Sequence, residues 1–364
     1  MQHYLTNYNK MKFIITLTIL LVLCACMKSK KVDLVLHNAI IHTANDMNEI
    51  EEAMAIKDGK IVEVGPERQI LNKYRYDESI DLMQSSIYPP LTDGNFPIFN
   101  FIDTNKTNIH EQISDLENEL LQQGIDKICL LNISHSQLKI ILKQIQKFPS
   151  VLRYVVFLKD EEQNFSFIKK KKFINVKNFK IQGITINNLQ EIDNTIIRAK
   201  ANNMQIQLEN SDFQSTRTKI KNHLFEYASD HRWIINGNTI KDDNELTEIF
   251  LQNLFILCTE NTKSTILNEN QLYSFGRGNT KNLSFFSSLN SFKLKNKLSN
   301  DCVLKSITNW SSYLTFSEKK EGTLEKNKFA NFIIFPKDID FSNENKDLYI
   351  SQLFHKGKAV YSTE

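Results

Sequence analysis

Between residues 87 and 275 the chain repeats one device, a short apolar run followed by a stretch of helical periodicity. The apolar runs are Ile87–Thr92, Lys127–Asn132, Arg153–Leu158, Phe179–Ile186, Met204–Leu208, Trp233–Asn236, Leu254–Cys258 and Leu272–Phe275. Helical spacing is clearest in Ile109–Gln123, Gln137–Lys147, Leu189–Asn202, Ser215–Ala228 and Glu245–Gln252. Short apolar runs separated by helix-length connections read as parallel strands joined by crossovers. The alternation predicts an α/β chain with a (β/α)8, TIM-like barrel, in which chemistry belongs at the C-terminal ends of the strands.

The two ends of the chain read differently. Leu34-Val35-Leu36, Ala53-Met54-Ala55-Ile56 and Ile61-Val62-Glu63-Val64-Gly65 are strand-like, and Lys57-Asp58-Gly59-Lys60 joins the last two. An Asp-Gly pair between apolar runs is a strong hairpin signal. Phe332-Ile333-Ile334-Phe335 and the run Leu353–Tyr361 repeat the style, so both ends are expected in one small sheet structure.

The first 26 residues have the pattern of an export signal. Lys10-Met11-Lys12 is a positive start, and Phe13–Leu23 is an apolar core too short to span a bilayer. Leu23-Cys24-Ala25-Cys26 resembles the bacterial lipobox, with Cys26 as the lipid-attachment residue and Cys24 as the alternative. The resemblance implies a protein anchored to the bacterial cell envelope through its N-terminal lipid, facing the periplasm or the exterior. Met11 is a candidate start, because the ten residues before it add nothing to the signal.

With 41% hydrophobic and 24% charged residues the rest is expected to fold as a globular body. The 45 basic and 42 acidic residues nearly balance, and Lys169-Lys170-Lys171-Lys172 is the only dense basic run, read as a solvated loop. Nucleic acid is therefore not an expected partner. Cys129, Cys258 and Cys302 sit in apolar surroundings without the spacing of a structural zinc site, and read as buried hydrophobes.

The segments Val32–Asn38, Ile41-His42-Thr43 and Ala53–Gly65 are similar, nearly position for position, to the opening of the amidohydrolase superfamily. The likeness is strongest to its amidohydrolase-3 branch, which includes N-substituted formamide deformylase-like enzymes. Glu321–Phe335 resembles the family's return into its composite β-sandwich, with Asn331 where aspartate is usual, and Asn300–Ser317 resembles its last barrel helix. After the expected signal peptide over 1–26, the resemblance implies part of the sandwich over 27–86, the barrel over 87–320 and the rest of the sandwich over 321–364. It also implies hydrolysis of non-peptide C–N bonds on zinc or another divalent metal. Phe96–Gln112 leaves little room for the insert that usually follows the first barrel strand, so the chain is shortened.

Such a metal needs lone pairs from imidazoles and carboxylates at the strand ends. The family's first-strand Asp-x-His-x-His falls on Asp93-Gly94-Asn95-Phe96-Pro97, which puts Asn95 and Pro97 at the ligand positions. The other ligand positions fall on Leu208, Gly237 and Gly278. Four strand ends are thus without their donors, and no cofactor is predicted. Among the histidines beyond the signal, His37, His42 and His355 belong to the sandwich, while His135 follows the second strand near the barrel mouth. Asp93, Glu209, Asp212 and Glu260 stand at strand ends, where carboxylates commonly cap helices. Lys180 aligns loosely with a basic strand-four position of the family.

The leading reading is a catalytically degenerate amidohydrolase-like lipoprotein with a scaffold or binding role. One alternative is an active metal-dependent hydrolase with a relocated site built on Asp93, Glu209 and His135. Another is a periplasmic ligand-binding lipoprotein whose emptied mouth is lined by Phe96, Phe99, Phe101 and Phe213. Its partner is a small molecule or a protein that the sequence does not identify.

Overall fold

The fold was obtained as a computed structural model, which describes residues 30–170, 177–187, 190–209, 219–220, 223, 230–251, 253–262, 267, 272–341 and 348–363. The expected signal peptide, Cys26, Asp212, Phe213 and most of the expected helix over 215–228 lie outside the described residues.

The strands, in chain order, are β1 (Lys30–His37), β2 (Ile40–His42), β3 (Ile50–Glu51), β4 (Ala53–Lys57), β5 (Lys60–Gly65), β6 (Tyr74–Asp81), β7 (Ser86–Tyr88), β8 (Leu91–Asp93), β9 (Ile125–Ile133), β10 (Arg153–Lys159), β11 (Phe179–Ile186), β12 (Gln205–Leu208), β13 (Ile234–Asn236), β14 (Phe255–Cys258), β15 (Tyr273–Phe275), β16 (Phe332–Phe335), β17 (Gln352–His355) and β18 (Lys358–Ser362). Strands β8 to β15 form one parallel eight-stranded sheet in which sequence neighbours are also spatial neighbours. Helices such as Ile109–Gln122, His135–Lys147 and Ile192–Ala201 connect them, and the alternation read from the sequence is thus a TIM-like barrel.

The first and last strands meet at a seam. Gly94 N donates to Phe275 O at 2.9 Å, and Gly278 N donates to Asn95 O at 2.9 Å. Two glycines make this approach feasible. A Cβ on Gly276 would lie 2.1 Å from Asn95 N, and one on Gly94 would lie 2.5 Å from Ser274 Oγ. Outside the seam, helix Phe285–Asn296, which the periodicity did not single out, packs Phe285 and Phe292 on Phe275, with ring centroids 5.7 and 5.1 Å away.

The candidate strand Ile87–Thr92 is two strands in two sheets. Ser86–Tyr88 pairs with β16 and β2, whereas Leu91–Asp93 opens the barrel. Pro89-Pro90 separates them, because neither proline has an N–H to continue a ladder. The expected helix Asn300–Ser317 is likewise two helices, Asn300–Ile307 and Asn309–Leu314, broken at Thr308 (φ −130°, ψ −88°). The Thr308 hydroxyl donates to Leu304 O at 2.6 Å and Ser311 Oγ to Ser306 O at 2.6 Å, which satisfies carbonyls near the break.

The chain ends build a second body of two sheets. One has the order β5-β4-β1-β6, and the other has the order β18-β17-β16-β7-β2-β3, which joins the last strands of the chain to the first. Leu36, Met54, Ile56, Ile87, Phe332 and Ile334 are buried together between them. The expected hairpin turn is present: Asp58 and Gly59 have φ of 51° and 73°, values that a tight primed turn requires.

A buried charge network ties this second body to the N-terminal end of the barrel. Glu321 accepts from Lys127 Nζ and from Arg153, each at 2.5 Å. Arg153 also pairs with Asp126 at 2.5 Å, and His355 Nε2 lies 2.9 Å from the same carboxylate. Burial alone would raise the Glu321 carboxyl, but the Arg153 and Lys127 charges hold it well below the usual carboxylate range.

Candidate functional site

At the opposite end of the barrel, the residues that follow the strands surround one cavity of about 390 Å³. Asn95 and Asn100 come from the segment after β8, and Asn132 from the end of β9. Glu209 follows β12, Asn236 and Asn238 belong to the end of β13, Asn261 follows β14, and Asn279 follows β15. Strand geometry places them together, since parallel strands of a barrel all deliver their C-terminal ends to one face. Phe96, Pro97, Phe99 and Leu131 supply its apolar wall.

Some of these amides are held by neighbours. Asn238 Oδ1 accepts from Thr262 Oγ1 at 2.7 Å, and Asn132 Oδ1 accepts from Asn187 Nδ2 at 2.8 Å. Asn236 Oδ1 accepts from Asn238 N at 3.0 Å and so orders the turn after β13. Among the described residues, the side-chain amides of Asn95, Asn100, Asn261 and Asn279 have no protein partner. Among the described residues Glu209 is the one carboxylate that lines the cavity, and its Oε2 accepts from Gln207 Nε2 at 2.6 Å. The other end of that buried amide, Gln207 Oε1, has no protein donor.

Asp93 lies at the seam rather than in this cavity. Its Oδ2 accepts from Arg277 Nε at 2.7 Å, and its Oδ1 accepts from the backbone N–H groups of Asn95 and Arg277 at 3.0 and 3.1 Å. Both side chains are 0% exposed. The guanidinium lies 4.6 Å from the centre of the Phe96 ring and donates to Leu283 O, and burial lowers the Arg277 pKa against the opposing pull of Asp93.

His135 is elsewhere again. It begins helix His135–Lys147, where Ser134 closes a capping box with Gln137, and its ring meets Phe167 edge-on at 6.0 Å. With Leu138, Leu142 and Glu162 it lines a separate recess. The expectation of a histidine at the barrel mouth is corrected, because the helix turns that side chain toward helix Glu162–Lys169. Asp93, Glu209 and His135 therefore occupy three different places and do not converge.

No protein-family model matches the sequence, and no curated protein matches it. Solved structures do superpose on it. An adenosine deaminase from Xanthomonas campestris with bound zinc aligns with a TM-score of 0.70 at 12% identity, over 91% of this chain and 93% of that one. A triazine hydrolase variant aligns at 0.67 and 12%, over 90% and 94%. The aminofutalosine deaminase of Helicobacter pylori aligns at 0.64 and 14%, over 90% and 99%.

The chain has the fold shared by these deaminases and by a solved amidohydrolase.

The amidohydrolase fold implies a divalent metal at the barrel mouth, so the donors there can be tested against one. Zinc takes at least three protein lone-pair donors converging within about 2.3 Å of the ion. Among the described residues no group of three His, Cys, Asp or Glu side chains is disposed to hold a metal. The donor set that the described residues bring to the mouth is amides and Glu209, and it does not fit. Asn95 and Pro97 line the cavity, whereas Leu208 is buried in β12 beside Ile186 and Ile235. Gly237 and Gly278 are packed as glycines: a Cβ on Gly278 (φ 67°) would lie 2.8 Å from Thr259 Cγ2, and one on Gly237 would lie 3.1 Å from Thr262 Cγ2. Lys180 is at the other end of the barrel, where its Nζ donates to Thr315 O at 3.4 Å. Burial, and after it the charge of Lys127, lower its pKa.

Phe96 and Phe99 line the cavity as expected, and Phe101 stacks on Phe96 at 5.4 Å. The sequence reading missed Arg277 and the asparagine ring. A lone arginine between two glycines after an apolar strand was a usable signal, as was asparagine recurring at successive strand ends.

Proposed function

We propose that the protein is a catalytically degenerate, lipid-anchored protein of the bacterial cell envelope that keeps the amidohydrolase fold and uses the barrel mouth for binding. The observation that carries this reading is the fate of Asp93. The carboxylate at the end of strand one is here fully buried, committed to a buried guanidinium and two backbone N–H groups, and does not line the cavity. The envelope assignment rests on the Leu23-Cys24-Ala25-Cys26 pattern after the apolar run Phe13–Leu23.

The test is metal retention by the purified chain. After incubation with zinc, nickel, iron and manganese and then dialysis, the expected metal content is well below one ion per chain, with no turnover of N-acyl or formamide substrates. One tightly held ion per chain would overturn the proposal and restore a metal-dependent hydrolase of C–N bonds. For the anchor, labelled palmitate is expected to be incorporated by the wild type and lost in Cys26→Ser. Incorporation that persists in that variant would refute Cys26 as the attachment point.

A further inference from the structure

We propose that the barrel mouth binds a neutral, hydroxyl-rich small molecule of the saccharide or polyol class, an assignment that rests on the non-catalytic reading above. Composition does not account for the lining. Asparagine makes up 39 of the 364 residues, yet it supplies seven of the 17 residues around this cavity, where the chain average would place about two. The amides come from five separate strand ends, so one asparagine-rich loop is not the source.

The chemistry of an amide ring is specific in kind. Each side chain offers two donors and an acceptor with two lone pairs, and carries no charge at any physiological pH. A ligand hydroxyl also donates and accepts, so a ring of amides can answer several hydroxyls in either sense. Glu209 adds a pure acceptor, suited to an adjacent pair of hydroxyls and held in place by Gln207 Nε2 at 2.6 Å.

Charge narrows the class further. Among the described residues no Lys, Arg or His lines the cavity, and the one charge they give it is negative, so phosphates and carboxylates meet repulsion from them without a compensating cation. The apolar wall is modest: Phe96 is buried and already stacked on Phe101, which leaves half-buried Phe99 with Pro97 and Leu131 to meet the C–H face of a ring. A volume of about 390 Å³ is within the range of small-molecule sites and suits one or two sugar rings.

The experiment is titration calorimetry of the full chain in detergent against a panel of neutral hexoses, pentoses, disaccharides and linear polyols. Glucose 6-phosphate, glucuronate and free nucleobases serve as comparators. The expected result is saturable one-to-one binding of a neutral member, at least tenfold weaker for its phosphorylated or carboxylated counterpart. Binding should weaken at least tenfold in Asn261→Leu and in Asn279→Leu. Those side chains are exposed and have no protein partner among the described residues, so the variants should melt as the wild type does. Glu209→Gln is the second probe and should weaken binding of the neutral ligand while narrowing the gap to its anionic counterparts, because it removes the negative charge that repels them. No binding by any neutral member, or binding unchanged in all three variants, would overturn the assignment. Binding of an anion or a nucleobase at the mouth instead would overturn the ligand class while leaving the non-catalytic reading intact. Stoichiometric metal retention with turnover would remove that reading itself.

Discussion

Replacing Asp93 by asparagine tests whether this position is a structural clasp or a metal ligand. The substitution keeps an oxygen for the backbone N–H groups of Asn95 and Arg277, at 3.0 and 3.1 Å, and removes only the charge that faces Arg277 Nε at 2.7 Å. Both side chains are 0% exposed, so water cannot replace the lost partner. Stranding one member of a fully buried ion pair costs about 3–5 kcal/mol, and asparagine's remaining dipole places the expected loss at the lower end, about 3 kcal/mol. For a chain of this size that is a fall in melting temperature of about 6 °C, at ~2 °C per kcal/mol. Calorimetric melts of Asp93→Asn, Arg277→Met and the double variant form the assay. The double variant should be less destabilised than the sum of the singles by about 2 kcal/mol, because removing both charges leaves neither uncompensated. A loss below about 1 kcal/mol for Asp93→Asn, or strict additivity, would refute the clasp. A metal ligand would behave in the opposite way, losing bound metal with little change in the melting temperature of the metal-free chain.

Gly276→Ala should destabilise by about 1–3 kcal/mol or prevent folding, since its Cβ would meet backbone N of Asn95 at 2.1 Å, whereas Gly65→Ala, whose nearest neighbour would be Ile70 Cδ1 at 3.9 Å, should stay within about 1 kcal/mol; thermal melts compare the two. Glu321→Gln leaves Lys127 and Arg153 facing each other in a buried site without their shared carboxylate, and urea unfolding should show a loss of about 3 kcal/mol. Burial raises the Asp338 carboxyl, but hydrogen bonds from His42 and Tyr88 outweigh it and bring the pKa down to about 2. A pKa depressed by folding stabilises above the unfolded value of 3.8, and that contribution is lost as pH falls from about 4 toward about 2. Because the side chain is half exposed the contribution is discounted to about 1 kcal/mol, and Asp338→Asn should be less stable than wild type at pH 6 but equal to it near pH 2; an equal gap at both pH values would contradict the assignment.

The sequence by itself determined the architecture. Eight apolar runs separated by helical spacing leave a parallel barrel as the arrangement that buries every run on both faces, and the Asp58-Gly59 pair specified its hairpin because few other residues accept positive φ twice in succession. The same local logic located the strand ends, and with them Asn95, Glu209, Asn236 and Gly278 on or beside one cavity. Where a local pattern was broken by a neighbour's chemistry, the reading erred: Ile87–Thr92 looked like one strand because its apolar run continues across two prolines that divide it between two sheets.

Tertiary structure alone decided which side chains meet. Asp93 and Arg277 are 184 positions apart and touch only because a barrel closes its first strand on its last, a contact with no local periodicity to announce it. His135 stands beside the right strand, yet the turn of a helix sends it into an outer recess. Strand order follows from short-range pattern, which sequence carries. The direction and company of a side chain follow from closure of the whole sheet, which it does not.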